Sequence, residues 1–180
     1  VLAVGLFAVT GAFSLVGLWF LKLKQFTATE KKDNVDLAFA TAVGAMGLYA
    51  FIAGFYIIVT EPYRAPYSEF FGLIHLYYGL GLVIGAVSVA RRWDLRPVSY
   101  FAFLGGVINL IYVYINQTLI NNPNYPFIFL PAALVGLSAP AAVHMKSVWA
   151  SRITGILCIL LALAAFYIGA NAFIGHVARG

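Results

Sequence analysis

Few residues of this sequence are equipped for chemistry, and most of those sit inside long apolar runs. Asn109, Tyr112 and Asn116 recur three and four residues apart, a spacing that places them along one face of a helix. His75 and Asn171 lie alone within other apolar runs, while Glu69, Glu61 and His176 fall at run ends. Polar groups shielded from water are costly unless paired and often mark functional sites. His75, Asn109, Tyr112, Asn116 and Asn171 therefore define a candidate polar pocket between the third, fourth and sixth apolar runs. The competing explanation is interhelical hydrogen bonding that orients a bundle, each bond contributing about 0.6 kcal/mol in lipid.

Imidazole and carboxylate are suitable donors for zinc, iron or copper, which makes His75, Glu69 and His176 the candidate metal ligands. No close motif such as His-x-x-x-His supports them. A bis-histidine haem needs two rings at similar depth, and at about 1.5 Å per residue His75 and His176 differ by roughly 7 Å. His144 belongs to the other side of the membrane. No metal, haem or other cofactor is therefore expected, with lipid or quinone the ligands left open. The chain has no Gly-rich phosphate loop, no Gly-x-Ser-x-Gly elbow and no Cys-x-x-Cys. Its single cysteine, Cys158, forms no intramolecular disulfide. No catalytic residue is expected.

The elements that must position these groups follow from composition. Apolar residues make up 63% of the chain and charged residues 9%, against roughly a quarter charged in a soluble domain. Lipid must be the solvent for much of this surface. The net charge of +5 comes from basic residues scattered between apolar runs rather than gathered in a stripe, so no nucleic-acid partner is expected. A membrane span needs roughly 20 apolar residues as a helix. Six stretches qualify: about 1–21, 36–59, 70–90, 97–117, 127–143 and 153–175. The expected fold is an all-α integral membrane bundle of about six transmembrane helices, forming one domain over 1–180. Asp33 or Asn34 is placed to cap the second helix and Pro97 to start the fourth. The fifth, carrying Pro131 and Pro140, is expected to be bent or partly re-entrant.

Nine of the eleven basic residues fall in the three connections after the odd-numbered helices. Lys22, Lys24, Lys31 and Lys32 follow the first helix; Arg91, Arg92 and Arg96 the third; Lys146 and Arg152 the fifth. Only Arg64 and Arg179 lie opposite. The positive-inside rule then places both termini on the extracytoplasmic side of a cell membrane. Trp19, Trp93 and Trp149 at one level and Tyr63, Tyr67 and Tyr125 at the other suit the two interfacial belts. Gly81-xxx-Gly85 and Ala165-xxx-Gly169 are small-residue faces that let helices approach closely, within the bundle or between subunits. Asn116-Gln117-Thr118 matches a glycosylation sequon but sits too close to lipid to be a good acceptor.

Thr60-Glu61-Pro62, the Pro66-Tyr67 pair, Tyr167-Ile168-Gly169 and Gly175-His176 together resemble an uncharacterised, mainly archaeal family of short multi-pass membrane proteins, a domain of unknown function of the nine-eight-one type. The resemblance implies a membrane bundle over most of the chain and no activity. From the residues themselves, the first expectation is a non-catalytic subunit packing laterally in a larger membrane complex, for example of respiratory or oxidase type. Other membrane subunits and lipid would be its partners, in a homo- or hetero-oligomer. The second is a small-solute transporter or binding protein using the polar pocket, and the third a quinone- or haem-binding anchor.

Overall fold

A computed structural model describes residues 2–21, 32–62, 67–122, 124–145 and 147–178, without the side chains of 32–35, 124–125 and 176. Six helices follow one another: α1 Leu2–Leu21, α2 Lys32–Thr60, α3 Tyr67–Arg91, α4 Arg96–Ile115 continued by a π-turn at Asn116–Ile120, α5 Asn124–His144 and α6 Val148–Val177. Each is long and apolar enough to cross a membrane, since a continuous apolar run must satisfy every backbone amide within itself. Large apolar side chains such as Val59, Leu163 and Phe166 are exposed around the outside, as lipid-facing surface requires. The chain is all-α and has the makings of a multi-pass membrane protein.

In lipid, helices associate through close packing rather than through escape from water, and glycine decides where that packing is closest. On α2, Gly47 and Gly54 face Gly79 and Gly72 of α3. A Cβ on Gly54 would come within 2.7 Å of the Gly72 carbonyl oxygen, and one on Gly79 within 2.6 Å of Phe51 Cα. Gly17 and Gly155 meet in the same way between α1 and α6, where each added Cβ would lie 2.9 Å from the other's carbonyl oxygen. Gly106 and Gly136 do so between α4 and α5, at 2.6 Å from the Gly136 Cβ to Gly106 N. With looser α1–α2 and α5–α6 contacts, these pairs build a ring of helices. It is weakest between α3 and α4, which scarcely pack although consecutive.

Local chemistry closes the ends. Arg92 N–H donates to Val89 O and Trp93 N–H to Ser88 O, a Schellman arrangement with Arg92 in the left-handed region at φ 57°. Asp94 then accepts from the Arg96 backbone N–H at 2.9 Å and from its guanidinium at 2.6 Å, starting α4 just ahead of Pro97. Those hydrogen bonds hold the Asp94 carboxyl below the usual carboxylate range. The α5 helix runs unbroken through Pro131 and Pro140, so no re-entrant turn forms there; its packing against α4 and α6 supports the segment. The cap expected at Asp33 or Asn34 lies outside the described side chains.

Candidate functional site

The α3–α4 seam is filled by rings instead of backbone. Tyr77 stacks on Phe101 with centroids 4.2 Å apart and planes 4° from parallel, and its hydroxyl donates to the Phe101 carbonyl oxygen. Nearer the Tyr67 end of α3, Phe70 meets Tyr112 edge-on at 4.7 Å. These rings span the gap without closing it, and two cavities lie along it. The larger, about 170 Å³ inside a wide mouth, occupies the half of the bundle towards Arg91 and Arg96. Every helix contributes to its wall, which is nearly all apolar: Phe13, Phe39, Gly85, Val98, Ala139 and Cys158 are representative. The smaller, also about 170 Å³ inside but with a narrower mouth, continues towards the other end between Leu73, Ile108, Asn109 and Tyr112. Tyr77 and Tyr78 line both.

Asn109 is the polar centre of this seam, only 2% exposed. Thirteen residues separate it from Arg96, at the start of α4, which puts it near mid-depth. Its amide nitrogen donates to the Tyr78 hydroxyl at 2.5 Å and to the Gly105 carbonyl at 2.6 Å. That pair of contacts fixes the amide orientation, because a flipped oxygen would face the Gly105 oxygen. The Asn109 Oδ1 is left buried with no hydrogen-bond partner among the described residues, a condition that costs about 1–3 kcal/mol.

Of the five residues expected to form one polar pocket, the structure brings Asn109 and Tyr112 together along the smaller cavity. Asn116, also 2% exposed, works locally. Its amide nitrogen donates to Asn122 O at 2.9 Å and its Oδ1 accepts from Asn122 N–H at 3.3 Å. It pins the turn after α4, where Asn121 is left-handed at φ 51°, and is unsuited to glycosylation. Asn171 is exposed.

His75 is buried, at 1% exposure, but lines neither cavity. Its Nδ1 shares a hydrogen bond with Phe71 O on its own helix at 2.7 Å, not with a neighbouring helix as its isolation suggested. The ring instead wedges against Gly5 of α1, which also faces Ala53 of α2, and among the described residues its Nε2 has no partner. Glu69 is exposed on the same helix, six residues and so about 240° away, which keeps it off the face that buries His75. The His176 side chain lies outside the described residues. Among the described residues, no three His, Cys, Asp or Glu gather as a metal site.

Sequence reasoning missed Tyr77 and Tyr78. The available signal was two consecutive phenols at the middle of an apolar run, one helix away from Asn109. At the basic end, Ser99 Oγ donates to Arg96 O at 2.7 Å and sits 3.5 Å from His144 Nε2; Lys22, Lys24, Lys31, Arg64, Lys146 and Arg179 lie outside the described residues. A family model described as "Protein of unknown function (DUF981)" matches residues 1–179. No curated protein and no solved structure matches the chain.

Proposed function

The chain belongs to the DUF981 family, a membership that carries no activity with it, and on that premise we propose that it is a membrane-embedded binding protein for an apolar or amphiphilic small molecule of lipid or quinone type. One observation carries this reading: the apolar cleft of about 170 Å³, open at one side and walled by all six helices. Concave sites between helices, with mainly apolar walls and a few polar groups, are where bundles hold small molecules, and this one is open enough at its mouth for a longer molecule to extend out of it. The molecule enters through the α3–α4 seam, where no glycine contact locks the backbones together. The chain carries no catalytic centre of its own, and its termini lie on the extracytoplasmic side. Lateral packing with other membrane subunits has less support. Of the faces that suggested it, Gly81 and Gly85 border the cleft and Gly169 packs on Leu6 and Phe7 of α1.

The test is extraction in a mild detergent followed by native mass spectrometry and lipid analysis. Wild-type protein should carry a defined amphiphile, and Gly85→Leu combined with Ala139→Phe, which fills the cleft from two walls, should release it while leaving helicity unchanged. Equal retention by the filled variant, or a wild type that takes up no amphiphile, would overturn the reading.

A further inference from the structure

We infer that the smaller cavity selects a molecule bearing a hydroxyl group, with Asn109 Oδ1 accepting the ligand's O–H and the Tyr78 hydroxyl donating to its oxygen. The inference rests on the binding reading above and on one molecule spanning both cavities, which adjoin at Tyr77 and Tyr78: apolar body in the cleft, hydroxyl at mid-depth.

The hydrogen-bond inventory leads to this class. Both useful directions of the Asn109 amide nitrogen are spent, on Tyr78 and Gly105. Its Oδ1 is a buried acceptor without a donor among the described residues, covered by its neighbours and brought to a ligand by a small shift of a side chain that lines the cavity. The Tyr78 oxygen, having accepted from Asn109, still has its own proton to give. The site therefore presents one acceptor and one donor next to each other. A hydroxyl matches both at once; an ether or a bare hydrocarbon leaves Oδ1 unpaired. Sites built around a buried polar group discriminate strongly against the analogue lacking the matching group, because the unpaired partner is what costs. The remaining wall, Leu73, Ile74, Leu76, Gly105 and Ile108 with the phenols of Tyr77 and Tyr112, offers no charge, which excludes an ionic head group at this depth. Alkylphenols, quinols and long-chain or ring alcohols share the required chemistry.

The experiment compares para-dodecylphenol with its methyl ether, titrated into purified full-length protein and read by native mass spectrometry. Wild type should prefer the phenol by roughly tenfold or more. Asn109→Leu and, separately, the near-isosteric Tyr78→Phe should each reduce the preference severalfold while the ether binds as before. The Tyr78→Phe change keeps the ring, so it remains informative should Asn109→Leu fail to fold. Equal binding of phenol and ether by wild type, both abolished by Gly85→Leu with Ala139→Phe, would overturn this inference and leave the cleft reading intact. A preference that survives both Asn109→Leu and Tyr78→Phe would overturn it as well. Binding of neither probe would overturn the inference and the cleft reading together.

Discussion

Replacing Gly79 by alanine should destabilise the protein although alanine is the better helix former. The added Cβ would stand 2.6 Å from Phe51 Cα and 2.7 Å from Gly47 O, with Phe51 N closer still. Ordinary contact begins near 3.4 Å, so α2 and α3 must part by at least ~0.8 Å at their tightest crossing, and by more to clear Phe51 N. The obstacles are backbone atoms that no rotamer change can move aside. Overpacking of this kind costs about 1–3 kcal/mol, and the helix propensity of alanine returns up to about 1 kcal/mol. The net loss should be roughly 1–2 kcal/mol, or a fall in Tm of about 2–8 °C for a chain of this size. Gly175→Ala is the control, since nothing lies within 4 Å of its added Cβ; it should melt at or slightly above wild type. The assay is circular-dichroism melting of both variants in one detergent. A Gly79→Ala protein that melts with the Gly175→Ala control would refute the claim that glycine contacts close the α2–α3 interface.

Gly5→Ala should cost about 1–3 kcal/mol, because its Cβ would lie 2.9 Å from His75 Cδ2 and the ring is tied to Phe71 O. A double-mutant cycle with His75→Ala should show the two changes to be strongly non-additive; additive losses would mean that the wedge is not the cause. Glu61→Gly should raise stability by about 1 kcal/mol, since Glu61 ends α2 in the left-handed region at φ 42° with its N–H donating to Ile57 O. An unchanged or lower melting temperature in the same assay would count against that. For the orientation, Pro62→Cys and Met145→Cys, both exposed, should react with an impermeant thiol reagent from opposite faces of sealed vesicles; the native Cys158 is buried and should stay silent. Reaction of both from one face would refute the topology.

The helices were legible because their signal is additive over about 20 residues: each expected span lies inside an observed helix or within a residue of its start. The excess length, such as α6 beginning at Val148 rather than near 153, runs past the interfacial Trp149 and the polar Ser151 and Arg152, where a hydropathy argument ends. The pocket was legible only in part, because spacing along one helix gives a face but not its neighbour. Asn109, Tyr112 and Asn116 do share α4, yet Asn116 is claimed by the turn that follows. His75 and Asn109 are both buried in the bundle, but His75 turns to α1 and α2 while Asn109 turns to Tyr78. Those azimuths follow from which glycines meet. The α2–α3 pair is set by Gly47, Gly54, Gly72 and Gly79, spaced seven apart on each helix, whereas the shorter small-xxx-small motifs draw attention to Gly81 and Gly85, which face the seam.

The weakness of the α3–α4 seam is itself an argument about function. The closest interfaces of the ring, α1–α6, α2–α3 and α4–α5, are locked by paired glycines, and in lipid such contact is the main source of association. Two consecutive helices joined by a short, well-capped turn are the easiest of all to pack closely, and here they are held apart by Tyr77, Phe101, Phe70 and Tyr112. Residues that line a gap too wide for contact forfeit dispersion energy on that side, and Asn109 Oδ1 adds an unpaired acceptor at the same depth. A purely structural bundle gains from neither feature, and small changes at Gly81 or Ala102 could have removed the gap. A bundle whose wall is completed by a bound molecule recovers both losses at once. Cleft-filling substitutions therefore discriminate between the two cases: Ala139→Phe should raise the melting temperature of ligand-stripped protein and abolish the further rise that a bound amphiphile gives to wild type. If the wild type melts at the same temperature with and without amphiphile, the open seam has some other reason.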